Sequence, residues 1–214
     1  MNIGIISEGL TDQITIEAMV QGFFSNRNQS LEPLQPKKNE SGNWDKVFKY
    51  CRSDELKQAL LFNDLLIIHV DTDVLKSDGI PKELVCDFNN KTIIETIEIV
   101  KHKIIELIGD FYEENSEKFV FAISVDNIEC WYLPIYFPNQ KQTCNKIAGC
   151  IEKLNQALQA AEGFYINAKT PSFYQTMSKH FLNKQKLKHC LRTNESVSAF
   201  LTQLERFKQD EVYI

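Results

Sequence analysis

Three short runs, each nearly free of charge and each closing on a carboxylate, do most to limit what this chain can fold into. They are Ile3-Gly4-Ile5-Ile6-Ser7 ending at Glu8, Leu65-Leu66-Ile67-Ile68-His69-Val70 ending at Asp71 and Asp73, and Phe119-Val120-Phe121-Ala122-Ile123-Ser124-Val125 ending at Asp126. β-Branched runs of this length without polar alternation read as strands covered on both faces, the pattern of a parallel sheet. Segments of helical period separate them. Residues 12–25 carry Ile14, Ala18, Val20, Phe23 and Phe24 on one side, and Trp44, Val47, Phe48, Cys51, Leu56, Leu60 and Leu61 recur at helical spacing over 44–62. Another helix starts near Thr92, where Thr92 and Glu95 form a capping box and Ile93, Ile94, Ile97, Val100, Ile104 and Ile108 form the apolar stripe. Leu31-Glu32-Pro33-Leu34 is interrupted by proline and fits only an edge strand or a loop. The order β-α-(β)-α-β-α-β predicts an α/β fold, a Rossmann-like, mostly parallel four-stranded sheet flanked by helices.

After Pro138 the strand signals stop, and residues 143–162, 171–190 and 195–209 read as three helices. The expected organisation is an α/β domain over 1–138 and a C-terminal helical extension over 139–214 packed on it. Residues 37–43 and 74–90 read as irregular connections. No segment approaches the ~20 apolar residues of a membrane span, and the amino terminus lacks a basic, cleavable leader, so a cytoplasmic protein is expected. Cys51, Cys86, Cys130, Cys144, Cys150 and Cys190 form no CxxC pair and lie near no histidine at zinc-finger spacing, which predicts reduced, partly buried thiols. The phosphate-loop and dinucleotide glycine motifs are absent, and Ser7 lacks a nucleophile elbow.

In a parallel sheet, successive strand ends share one edge, the edge at which open α/β sheets bind ligands. Strands lie about 4.8 Å apart, so acids on neighbouring strand ends are close enough to share a small cation. Asp71 and Asp73, two apart in an extended chain, point to one face. Clustered carboxylates repel, a divalent ion relieves them, and an all-oxygen donor set favours Mg²⁺ or Mn²⁺ over zinc. Taken singly, each acid has a plain structural use: Glu8 beside a helix dipole, Glu129 on a helix surface. Their coincidence at one edge carries the argument. Gly9 permits a tight turn and close approach of a phosphate, and Thr11 or Asp12 can cap the helix that follows.

The net charge of −5 is uneven. Residues 163–194 hold Lys169, Lys179, Lys184, Lys186, Lys188 and Arg192 and no acid, whereas the body before them is acidic. This is either a solvated helix face or a surface for an anionic partner. His69 reads as a hydrogen-bonded core histidine, Trp131 as a packing anchor, Phe173 and Tyr174 as core aromatics, and His180 and His189 as surface residues.

Ser7-Glu8-Gly9-Leu10-Thr11-Asp12 followed by Val70-Asp71-Thr72-Asp73 resembles the TOPRIM domain of topoisomerases, primases and OLD-type nucleases. Asp126-Asn127-Ile128-Glu129-Cys130-Trp131-Tyr132-Leu133 resembles a signature of stand-alone, RloB-like TOPRIM proteins tied to phage defence, and Tyr174 to Lys179 and Ser196 to Leu201 resemble their tail. The resemblance implies a metal-dependent nuclease, acting on DNA more than on RNA, with a separate ATPase as partner; a dimer is compatible with it. It implies Asp71 and Asp73 as ligands of one or two Mg²⁺ or Mn²⁺ ions, Glu8 as proton carrier or further ligand, and Glu129 as completing the metal shell. Gly9, Lys179, Lys184, Lys186, Lys188 and Arg192 would then meet phosphates. Two other readings stand beside this one. The first is a non-cutting TOPRIM-like scaffold of an ATPase complex. The second is a phosphatase of the haloacid-dehalogenase type, with Asp71 as nucleophile and Asp73 as acid.

Overall fold

The structure, a computed structural model, describes residues 1–25, 29–37, 40–76 and 85–208. The first half alternates strands and helices: β1 (Asn2–Ile6), α1 (Leu10–Phe24), β2 (Ser30–Gln35), α2 (Trp44–Cys51), α3 (Asp54–Phe62), β3 (Leu65–Asp71), α4 (Ile93–Ile108), α5 (Asp110–Asn115) and β4 (Phe119–Ser124). A 3₁₀ turn over Ile128–Tyr132 leads into α6 (Leu133–Tyr136), α7 (Lys141–Cys144), α8 (Cys150–Glu162), α9 (Pro171–Ser178), α10 (Lys184–Thr193) and α11 (Glu195–Leu204). Residues 77–84, the middle of the connection expected to be irregular, lie outside the described residues, as do 38–39 of the 37–43 loop and residue 209 of the last expected helix.

The sheet order is β2-β1-β3-β4, and every pairing is parallel. All seven residues of β3 are buried, as its near-continuous apolar run requires. The proline-bearing segment is an edge strand: Pro33 sits opposite Ile5, and the register slips just after it. The chain leaves β1 outward to β2 and returns to the other side of β1 as β3, so the strand order reverses between β1 and β3. Two apolar layers cover the faces. Ile3, Ile5, Leu65, Ile67, Val120 and Ala122 pack with α1 and the C-terminal helices, and Ile6, Leu66, Ile68, Val70, Phe121 and Ile123 pack with α2, α3 and α4. The extension therefore shares a core with the sheet. The free edge of β4 is closed by side chains of the last helical segment: the Gln203 amide exchanges two 2.9 Å hydrogen bonds with the backbone of Phe121, in place of a fifth strand.

Several local expectations change. The first helix begins at Leu10 on Gly9 with no side-chain cap, so Thr11 and Asp12 sit inside its first turn. It is buried almost all round, between the sheet and α9–α10. The 44–62 segment breaks at Arg52 and Ser53 into two helices. The Thr92–Glu95 box is present, but Ile94 of the expected stripe is 46% exposed. The expectation of reduced thiols is also corrected, since Cys130 and Cys150 form a disulfide. Their Cα atoms are 5.1 Å apart although 20 residues separate them, because the turn after β4 packs on the start of α8. No short-range spacing reveals such a pair. Among the described residues, no helix is long and apolar enough to cross a membrane.

Gly22 shows how tightly the extension seats on α1. A Cβ at this position would lie 2.0 Å from the backbone oxygen of Phe181 and 3.2 Å from Leu187. Alanine would add about 1 kcal/mol of helix propensity, but it must push the 179–182 turn off the helix, at a cost of roughly 1–3 kcal/mol. Gly22→Ala should therefore lower the urea midpoint, and a rise would show that the extension packs elsewhere.

Candidate functional site

The strand reversal puts the carboxyl ends of β1 and β3 side by side, the crevice where such sheets take ligands. Glu8, two residues past β1, reaches across it: its Oε1 accepts the backbone N–H of Asp71 at 2.8 Å. The loop around Gly42 presses against the Glu8 carbonyl, where a Cβ would come within 2.1 Å of the oxygen. Asp71 closes β3 and is buried. Its Oδ1 accepts from the Ser124 hydroxyl at the end of β4 and lies 3.3 Å from His69 Nε2. Residue 71 is thus fixed by three strands at once. Thr72 ties the next step of the chain to β4, its N–H donating to Ser124 and its hydroxyl accepting from the Asp126 N–H at 2.8 Å.

Two residues that sequence reasoning did not place in the site stand at its centre. Asp12 is buried, with Oδ2 left without a hydrogen-bond partner. Lys169 puts its ammonium 3.7 Å from Asp12 Oδ1 and 3.6 Å from Asp71 Oδ2. The lysine stands on the 163–170 loop between α8 and α9. Asn155 holds that loop by pairing with both backbone polar groups of Ile166, and Phe164 stacks on Phe173 at 4.4 Å. Asp12 follows the strand by a few residues on the helix that starts there, the same logic that singled out Glu8. Lys169 has no local signal beyond belonging to the basic segment, because only the packing of α9 on α1 brings its loop to the acids.

Glu129 is fully buried on the turn after β4, accepts from the Tyr174 hydroxyl through Oε1, and leaves Oε2 without a partner. Asp73 sits at the exposed rim, its N–H donating to the Asp126 carbonyl at 3.0 Å. Gly9 is extended at φ −153°, so no turn requires a glycine there. A Cβ would, however, stand 3.3 Å from Asp12 Oδ2, a tight contact with an oxygen that is itself buried. Tyr174 is core, as expected, and so is Trp131, which stacks on Phe200 at 5.5 Å.

Lys179, Lys184 and Lys186 belong to the far end of α1 from the acids. Phe181 packs on Gly22, thirteen residues along α1 from Gly9 and so about 20 Å away. Lys179, Lys184 and Lys186 flank that far contact. The Lys186 amine is 2.8 Å from His180 Nδ1, and His180 bonds Glu162 through its other nitrogen. Lys188 and Arg192 are exposed on α10.

Electrostatics sort the acids by burial and by partner. Burial pushes Glu8 well above the usual carboxylate range, and the charges of Asp71 and Asp12 add to it. Burial likewise raises Asp12 and Glu129. Asp73 is raised to about 6 by desolvation and by its neighbours Asp71 and Asp126. Asp71 goes the other way: burial would raise it, but the hydrogen bond and charge of His69, with Lys169 and Ser124, hold it below its ordinary value. Lys169 is raised despite desolvation, because Asp12, Asp71, Glu129 and Glu8 surround it.

These residues fit a hard divalent cation in one respect above all. Two buried carboxylate oxygens, Asp12 Oδ2 and Glu129 Oε2, lack any donor, and buried acceptors are rarely left so. The donors are all oxygen, as Mg²⁺ and Mn²⁺ prefer. Among the described residues the acids do not form a closed cage: the one trio of His, Cys, Asp or Glu donors within 4.8 Å of one another is Asp126, Cys130 and Cys150. Mg²⁺ needs no cage, since it is commonly held by one or two carboxylates, waters and substrate phosphate. No protein-family model, curated protein or solved structure matches the chain.

Proposed function

We propose that the chain is a Mg²⁺- or Mn²⁺-dependent nuclease that cleaves phosphodiester bonds, with DNA the favoured substrate. The observation that carries this reading is the gathering of Glu8, Asp12, Asp71 and Glu129 around one lysine at the strand reversal, with two carboxylate oxygens unpartnered. Glu8, Asp12 and Asp71 would hold the ion, with Glu129 behind them and Asp73 at the rim. A bound ion would supply charge stabilisation for the attacking and leaving oxygens. The chain's own groups do the rest. Asp71, kept ionised by His69, Ser124 and Lys169, supplies a fixed negative charge. Glu8, biased toward its protonated form, suits proton transfer at the crevice. Lys169 offers a positive charge to a scissile phosphate. Gly9, at the amino end of α1, would place no side chain between a phosphate and the start of the helix. A role in defence against mobile DNA and a separate ATPase partner rest on the TOPRIM resemblance alone.

A nucleophilic Asp71 is disfavoured, since both its oxygens are engaged and the residue is buried. The non-cutting scaffold predicts no Mn²⁺ binding that depends on Asp71, which calorimetry distinguishes.

Nicking of plasmid DNA with Mg²⁺ or Mn²⁺ should fall roughly 10²-fold or more in Glu8→Gln, Asp12→Asn and Asp71→Asn; full activity in Glu8→Gln and Asp71→Asn would remove the assigned site. Lys169→Met should tighten Mn²⁺ binding in calorimetry, by removing the competing ammonium, while lowering the cleavage rate. Lys184→Ala combined with Lys186→Ala should raise KM and leave kcat unchanged, given their distance from the acids.

A further expectation concerns pH. Glu8, Asp12, Glu129 and Asp73 titrate higher in the fold than their ordinary values of 4.5, 3.8, 4.5 and 3.8, and His69 higher than 6.5. Groups raised in this way stabilise the fold fully below the unfolded value and lose that contribution as pH rises through the folded value. In chelator, the thermal midpoint should therefore fall between pH 4.5 and 8. Asp73→Asn should flatten the part near 6, and Mn²⁺ should recover more at pH 8 than at pH 5.

A further inference from the structure

We infer that Asp126, Cys130 and Cys150 form a second cation site, chemically distinct from the strand-end acids, which takes a borderline divalent ion of the Zn²⁺ type when the two cysteines are reduced. The three donor atoms lie within 4.8 Å of one another, with Asp126 Oδ2 3.9 Å from Cys130 Sγ. On a shared tetrahedral ion, with bonds of about 2.3 Å to sulfur and 2.0 Å to oxygen, that separation is about 3.5 Å. The existing spacing needs a shift of only a few tenths of an ångström. Two thiolates on one such ion stand about 3.8 Å apart, a distance that Cα atoms 5.1 Å apart can span by a turn of the Cys side chains.

The frame around the donors is set independently of the disulfide. Asp126 adopts φ +73°, a left-handed conformation that aspartate tolerates better than most residues. Its N–H donates to Thr72 and its carbonyl accepts from Asp73, which pin it to the end of β3. Cys130 sits on the buried turn held by Trp131, whose indole N–H donates to Ser196 at 2.7 Å. Cys150 opens α8. The remaining cysteines, Cys51, Cys86, Cys144 and Cys190, are buried thiols, and no other trio of donors forms among the described residues.

Two thiolates and a carboxylate, with a fourth position for water, make a zinc donor set rather than a magnesium one. The pair can then exist as either of two cross-links between the Glu129 turn and α8. In oxidising surroundings it is the disulfide. In reducing surroundings, where disulfides do not persist, a dithiol gives two electrons and two protons to the S–S bond, leaving two protein thiols and becoming a disulfide itself. Binding of the divalent ion then releases the two thiol protons to water and restores the link.

The test uses the full chain, reduced with a small dithiol that is then removed without air, and titrated with Co²⁺ as a spectroscopic probe. One equivalent should bind with thiolate-to-cobalt charge-transfer absorption, and Zn²⁺ should displace it. The absorption should be absent from the oxidised chain, lost in Cys130→Ser and Cys150→Ser, and kept in Cys144→Ala. Reduced chain with an unchanged far-ultraviolet spectrum and no such absorption would overturn the site, as would full absorption in Cys130→Ser. Should the serine variants fail to fold, Asp126→Asn decides: weaker Co²⁺ binding supports the three-donor site, and unchanged affinity overturns it.

Discussion

The ammonium of Lys169, with the imidazole of His69 beside it, is what the acidic centre depends on. Four carboxylates at one sheet edge oppose folding twice, by losing water and by repelling one another. An unpaired buried charge costs several kcal/mol even after relaxation. Three of the four respond by titrating high. Only Asp71, which has Lys169, His69 and Ser124 on it, stays low. The lysine touches Asp12 and Asp71 directly and feels Glu8 and Glu129. It arrives from the C-terminal extension, so among the described residues the α/β part supplies only His69 of the positive charge at its own site.

That dependence gives the extension a purpose beyond covering apolar surface. Lys169 must be held at a fixed distance from the strand ends, and the packing around it does this in stages. Ile166 is fastened to Asn155, Phe164 to Phe173, and Tyr174, the next residue, to Glu129. Below them Tyr132 bonds both Thr15 of α1 and Ser178 of α9 through its hydroxyl. The close contact of Gly22 with Phe181 sets the depth at which the whole unit seats. A polar ladder thus runs from the site down the face of α1, flanked by apolar contacts.

The fold was legible because the physics that fixes it is local. Uncharged β-branched runs, a capping box and a proline in an edge strand are all short-range signals, and the parallel four-stranded sheet follows from their order. The acids were legible for a related reason: a residue just past a strand lies at the ligand edge whatever packs later. Lys169, the Cys130–Cys150 bond and the distance of Lys184 and Lys186 from the acids are products of helix packing. Residues 163–194 read as one basic segment along the sequence, yet the fold puts Lys169 at the amino end of α1 and the segment around Phe181 and Leu187 at its far end. Asp12 lies between these cases. A capping role hid it, and the structure leaves the cap to Gly9, which frees the carboxylate to turn toward the crevice.

The divided protonation of the acids bears on what the crevice can do. A site whose carboxylates all titrated low would bind cations well and move no proton. One whose carboxylates all titrated high would carry protons and hold metal poorly. Here adjacent strand ends differ: Asp71 is held ionised by three partners while Glu8, whose Oε1 accepts from the Asp71 backbone, is biased toward its neutral form. The difference arises from partner geometry rather than residue type, since His69, Ser124 and Lys169 all converge on Asp71. Environments that push neighbouring acids apart mark the assignment of proton carrier and fixed charge. A cation entering between Asp12 and Asp71 would have to displace Lys169, and it would lower the pKa of Glu8 as it did so. On the proposed reading, metal binding and the readiness of Glu8 to accept a proton would therefore be one coupled event.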